Sequence, residues 1–217
     1  MTTARRFHSL TAAVAIIALV LQLVLVVRGG QVLDEVTPPA LGLRLARFVG
    51  YFTIQSNVLV AITAFTLAQD PARDGRTWRV LRLAAVVGIA VTGLVHFVLL
   101  RPLLDLNGAD WAADKLLHMV VPVLALVGWA VFGPRPRVDR TAITGALAWP
   151  VAWLVVILVV GALSGWYPYP FLDHRQDGAG AVAVACVGVT VLFVLLLATA
   201  AYVDRRRAPT AGARQAG

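Results

Sequence analysis

Six long apolar runs constrain this chain more than any other feature. They cover roughly 9–27, 44–69, 80–100, 115–132, 141–163 and 179–203. Each reaches or nearly reaches the ~20 residues that an α-helix needs to cross ~30 Å of hydrocarbon. Lipid cannot satisfy an open strand edge, and no ten-residue alternation suggests a barrel, so the runs are read as helices. Of the 217 residues, 59% are hydrophobic and 14% are charged, against roughly 45–50% and 25% in soluble domains. A soluble fold of this size could not hide that much apolar surface. The prediction is an all-α, polytopic membrane protein with six transmembrane helices. A secreted disulfide scaffold, a disordered tail protein and a soluble enzyme are excluded. The lone Cys186 falls within the last run and is read as a packing residue.

The net charge of +8 would point to nucleic acid in a soluble protein. Here the basic residues sit in short loops, where topology accounts for them, and no nucleic-acid partner is expected. Twelve lie on one side: Arg5 and Arg6, Arg73, Arg76 and Arg79, Arg135, Arg137 and Arg140, and Arg205, Arg206, Arg207 and Arg214. The other side has Arg28, Arg101 and Arg175, with Arg44, Arg47 and Lys115 at helix starts, and most of the acids, Asp34 and Glu35 among them. The positive-inside rule places both termini in the cytoplasm and the protein in the plasma membrane. Residues 1–204 are read as a single six-helix domain, and 205–217 as a short, basic, disordered cytoplasmic tail. No small-x-small cleavage site follows the first run, which is kept as a membrane helix. The longest loops, about 28–43, 101–114 and 164–178, fall on the outer side. The last holds Trp166, Tyr167, Tyr169 and Phe171, which suit the headgroup zone. Its prolines also suit a fixed lid over an outward-facing cavity.

Polar residues inside apolar runs carry the functional signal, because each must find a partner or line a cavity. The densest group is YFTIQSN (51–57). At ~100° per residue, Thr53, Ser56 and Asn57 share one helix face, with Gly50 one turn earlier and Gln55 nearly opposite. Interhelical hydrogen bonding is the plain explanation of such a group. His118 follows Asp114 by four residues, within side-chain reach. Pro122 follows His118 by four more, removing the bond that closes on the His118 carbonyl and bending the helix. His96 precedes Arg101 by five residues. Two histidines without a carboxylate or cysteine at ligand spacing argue against a metal, and no metal or other cofactor is expected. With ~1.5 Å rise per residue, His118 lies about 6 Å in from Asp114, His96 about 7–8 Å from Arg101 and Thr53 about 9 Å from Arg47. Three helices thus place polar groups at one depth in the outer leaflet, the pattern of a pocket.

YFTIQSNVLV (51–60), HMVVPVLALVGW (118–129) and YPYPFLD (167–173), in this order on six helices, resemble the bacterial Pr6Pr family of membrane proteins from the second helix to the sixth. A more distant resemblance is to the androgen-induced membrane hydrolases of animals, multi-pass proteins that cleave fatty acid esters of hydroxy fatty acids with an intramembrane Thr and a His. Their T-x-x-x-N block is matched by Thr53 and Asn57, and their H-x-x-x-x-P block by His118 and Pro122 with a shift of at most one position. The resemblance implies Thr53 as nucleophile and His118 as base. The outer loops depart from that pattern, which leaves the substrate open.

The chemistry is consistent with that carry-over. A neutral imidazole can take the Thr53 proton, Asp114 can orient the imidazole, and Asn57 or Ser56 can donate to an oxyanion. His96 is assigned a supporting place in the pocket. A membrane-lipid ester is the expected substrate and membrane lipids the expected partners. The same residues also suit a lipid or small-molecule transporter, or a binding protein without catalysis. A structural partner protein with a basic docking tail is the third reading.

Overall fold

The apolar runs become helices whose ends are set by side-chain caps and by distant partners. In the computed structural model, which describes residues 2–29 and 39–207, six helices are long and apolar enough to cross a membrane. They are α1 (Thr3–Val27), α3 (Phe52–Gln69), α4 (Arg76–Leu103), α5 (Gly108–Phe132), α6 (Arg140–Ser164) and α7 (His174–Arg206). A short helix, α2 (Leu41–Gly50), precedes α3. The chain is a multi-pass, all-α membrane protein. The predicted acids Asp34 and Glu35, and tail residues 208–217, lie outside the described residues. The start of that tail is helical, since α7 runs to Arg206.

Caps explain several ends. The Asp139 carboxylate accepts from the Ala142 amide at 2.8 Å and starts α6. The Asp173 carboxylate accepts from the Arg175 amide at 3.0 Å and starts α7. Each satisfies one of the amides that a helix start leaves without a partner. Gly178, at φ 84°, interrupts α7 after its first turn, a conformation that glycine adopts without steric cost.

α4 is the central helix. Of its most apolar stretch, 67% is buried, against 11% for α7. On one side of α4, α1, α3 and α5 enclose a core around Ala15, Val60, Ile89 and Val121. On the other, α3, α6, α7 and the 165–173 loop enclose a second core around Phe52, Val87, Leu172 and Phe193. The outward faces of α6 and α7 remain apolar, with Val155, Leu163, Val184 and Leu195 more than half exposed. That is the expected distribution when lipid is the solvent.

One expectation is corrected. The run 44–69, read as a single helix, breaks at Tyr51, whose backbone is extended at φ −68° and ψ 127°. Gly50 therefore does not continue the face of Thr53. The break frees carbonyls that a continuous helix would occupy, and side chains take them. Gln55 Nε2 donates to the Val49 carbonyl at 3.0 Å. Trp153 Nε1 on α6 donates to the Gly50 carbonyl at 2.9 Å. Trp149 Nε1 in turn donates to Gln55 Oε1 at 2.9 Å, and the Trp149 ring stacks on Phe52 at 4.4 Å. A non-helical residue this close to the membrane needs such partners.

Candidate functional site

The break at Tyr51 places Thr53 in the first turn of α3, where backbone amides have no intrahelical acceptor. The Thr53 amide donates to the Tyr169 hydroxyl at 3.2 Å, and the Phe52 amide lies beside the same oxygen. Thr53 Oγ1 is 3.3 Å from Tyr169 Oη and 3.3 Å from His118 Nε2. The helix start adds the positive end of its dipole to this point.

His118 comes from α5. The residues Leu116–Val120 form a π-helical turn directly before Val121 and Pro122. This is how the helix accommodates the proline that the sequence marks as a bend. His96 also stands in a π-helical turn, His96–Leu100 of α4. The widened turns bring the two imidazoles face to face, with centroids 4.0 Å apart and planes within 11°. His118 Nδ1 is 3.0 Å from the Asp114 carboxylate and 3.0 Å from the Asp114 carbonyl. The same carboxylate lies 3.4 Å from His96 Nε2 and 2.9 Å from Lys115 Nζ.

The hydrogen-bond polarity of the chain is consistent from end to end. With Nδ1–H donating to Asp114, His118 Nε2 is free to accept from the Thr53 hydroxyl. Thr53 Oγ1 can then accept from Tyr169, whose oxygen accepts the Thr53 amide. This assignment follows from the network, since no hydrogen is located directly. Burial holds the Tyr169 phenol above its ordinary pKa, so it remains a donor across the physiological range. Burial, reinforced by Tyr169 and opposed by Arg47, does the same for Tyr51.

Thr53, His96, Asp114 and His118 line one cavity of about 130 Å³. Gln22, Arg44, Arg47 and Asp110 line it as well. Thr53 and Tyr169 also border a second, more apolar cavity of about 100 Å³, walled by Val91, Leu147, Val189 and Phe193. Ser56 and Asn57 line neither. Ser56 bonds the Thr53 carbonyl at 3.1 Å and Thr92 at 2.8 Å. Asn57 Nδ2 donates to the carbonyls of Thr53 at 2.8 Å and Leu117 at 3.3 Å. Their donors brace α3 against α4 and α5, so the geometry does not supply them as oxyanion donors. The hydroxyl beside Thr53 Oγ1 is that of Tyr169. Sequence reasoning assigned it to the headgroup zone, although only 7% of it is exposed. A tyrosine between two prolines in a loop is the signal that could have marked it as held in place.

The argument against a metal also changes. The carboxylate missing from the two-histidine pattern is Asp114. Ligand atoms of His96, Asp114 and His118 lie within 4.8 Å of one another, a set able to hold a divalent ion. The Lys115 ammonium on the same carboxylate already supplies one positive charge there. Comparison of the chain with protein-family profiles, with curated proteins and with solved structures finds no match.

Proposed function

We propose that this chain is a membrane-embedded hydrolase of a lipid ester, with Thr53 as nucleophile and His118 as base. The observation that carries the reading is the 3.3 Å separation of Thr53 Oγ1 and His118 Nε2, with the other ring nitrogen 3.0 Å from the Asp114 carboxylate. A threonine hydroxyl is a weak nucleophile until a base in hydrogen-bond reach takes its proton. Thr53 Oγ1 attacks the ester carbonyl carbon as its proton passes to His118 Nε2. The intermediate collapses, the alcohol leaves with that proton, and an acyl-Thr53 remains. Water then gives a proton to the same nitrogen as it attacks the acyl carbon. The carboxylic acid departs and the Thr53 hydroxyl is restored. The developing oxyanion is favoured by the Tyr169 hydroxyl, itself held by the Thr53 amide at the start of α3. The apolar cavity suits the acyl chain. The cavity lined by Arg44 and Arg47 suits the alcohol portion. Membership of the Pr6Pr family, a plasma-membrane location and cytoplasmic termini belong to the same proposal.

The test is labelling of purified protein with an ester-directed fluorophosphonate, beside Thr53→Ala. Labelling that is lost in the variant supports the hydrolase. Wild type that neither takes the label nor cleaves a p-nitrophenyl or fatty acid ester overturns it, in favour of a transporter or binding protein.

A further inference from the structure

Most of the nineteen basic residues fall in loops, in the tail or near helix ends. Arg82 instead lies nearly two turns into α4. It belongs to the end of the bundle that carries the chain termini, opposite the catalytic cavity. There α4, the 70–75 loop, the 133–139 loop and the end of α7 converge.

The charges at this end pair closely but not completely. Arg79 reaches Asp74 at 2.7 Å and Asp139 at 2.9 Å. Arg137 Nε is 3.2 Å from Asp74, and Arg135 Nε is 3.9 Å from Asp204. Asp204 also accepts the Arg137 and Val138 amides, each at 2.8 Å. Four guanidiniums thus share three carboxylates. Arg82 is the one left over: among the described residues its hydrogen bond is to the Thr63 hydroxyl at 3.5 Å. Its Nε and Nη2 are shielded from solvent and have no hydrogen-bond partner among the described residues. The next titratable groups in electrostatic reach, His8 of Arg82 and Arg207 of Arg135, are bases as well. A shielded guanidinium without an anionic acceptor is costly, far more so than an exposed one.

Arg79, Arg82 and Arg137 line a common cavity of about 20 Å³ with Trp78, Trp129 and Gly133. That space suits one halide ion or one water, and is too small for a phosphate group. Water would relieve the hydrogen bonding, but it adds two donors to a wall already rich in donors and leaves the charge excess. A monovalent anion answers both. We propose that Arg82, with Arg79 and Arg137, binds a single chloride-sized anion that ties α4 to the two loops beside it. This is independent of the hydrolase reading.

The experiment is thermal unfolding of the full chain in detergent, in chloride, bromide or gluconate at about 0.15 M and matched ionic strength. A ligand that binds only the folded state raises the midpoint in a saturable way. Chloride and bromide are expected to raise it and gluconate is not. Arg82→Gln should weaken the apparent halide affinity at least about tenfold, while exposed Arg76→Gln should keep the wild-type response. Wild type indifferent to halide, which is the water outcome, overturns the proposal. So does a gain produced by phosphatidylglycerol in the detergent and not by halide. Should Arg82→Gln not fold, bromide-soaked crystals of the wild type decide. An anomalous peak in contact with the Arg82 guanidinium supports the site, and its absence there overturns it.

Discussion

Thr53 owes its surroundings to a helix that begins one residue before it. Its hydroxyl meets His118 and its amide meets Tyr169 because both groups project from the first, open turn. His118→Ala should therefore lower ester turnover by at least roughly 10²-fold, the usual scale for a lost general base, with the protein still folded. His96→Ala should cost less, since its ring packs on His118 and touches only Asp114. Tyr169→Phe keeps the ring between Tyr51 and Phe171 and removes only the hydroxyl. A loss on the order of 10²-fold in kcat is expected if that hydroxyl serves the oxyanion. Steady-state kinetics on one ester for the three variants separates these roles. An unchanged kcat in Tyr169→Phe would assign its hydroxyl to capping α3 alone.

Helix contacts hold that geometry. A side chain at Gly93 of α4 would meet the His118 carbonyl at 3.2 Å and Pro122 at 3.4 Å. Gly93→Val should push α5 away, lower the melting temperature by overpacking of about 1–3 kcal/mol, and depress activity. Gly93→Ala should do the same more weakly. Both are read from melting curves and turnover together. At the start of α7, Arg175 holds the Asp173 carboxyl at about 2, below its ordinary 3.8. A depressed acid stabilises the fold above its unfolded value and loses that contribution as pH falls through the folded one. Asp173→Asn should thus melt lower than wild type at neutral pH, and the gap should close as pH falls from about 4 toward about 2.

For the whole molecule, the charge asymmetry of twelve against six predicts the orientation in the membrane. Reporter fusions at positions 75 and 137, in the loops after α3 and α5, should report cytoplasm. Fusions at 35 and 175 should report the outside. A cytoplasmic signal at 175 would overturn the proposed topology. The peripheral helices α6 and α7 present most of their surface outward, so the bundle's polar interior is concentrated around α3, α4 and α5.

What could be read from the chain was whatever depends on local composition and period. Apolar length gave the six crossings. Polar residues within them marked Thr53, His96 and His118, because a group that lipid cannot solvate must be placed deliberately. The Asp114–His118 pair follows from four-residue spacing. Partners far apart in sequence were not legible. The break at Tyr51 is held by Trp153, 103 residues away, and Tyr169 reaches Thr53 across 116 residues. Neither contact leaves a periodic trace, since one requires α6 to pack beside the break and the other the loop after α6 to fold back onto α3. Arg82 was equally silent: a lone arginine in an apolar run shows that a partner is needed, and packing alone reveals that the nearby carboxylates face other arginines. Secondary structure is a local balance of backbone bonding and apolar pattern, whereas a site is the intersection of separate helices, set by which of their faces pack together.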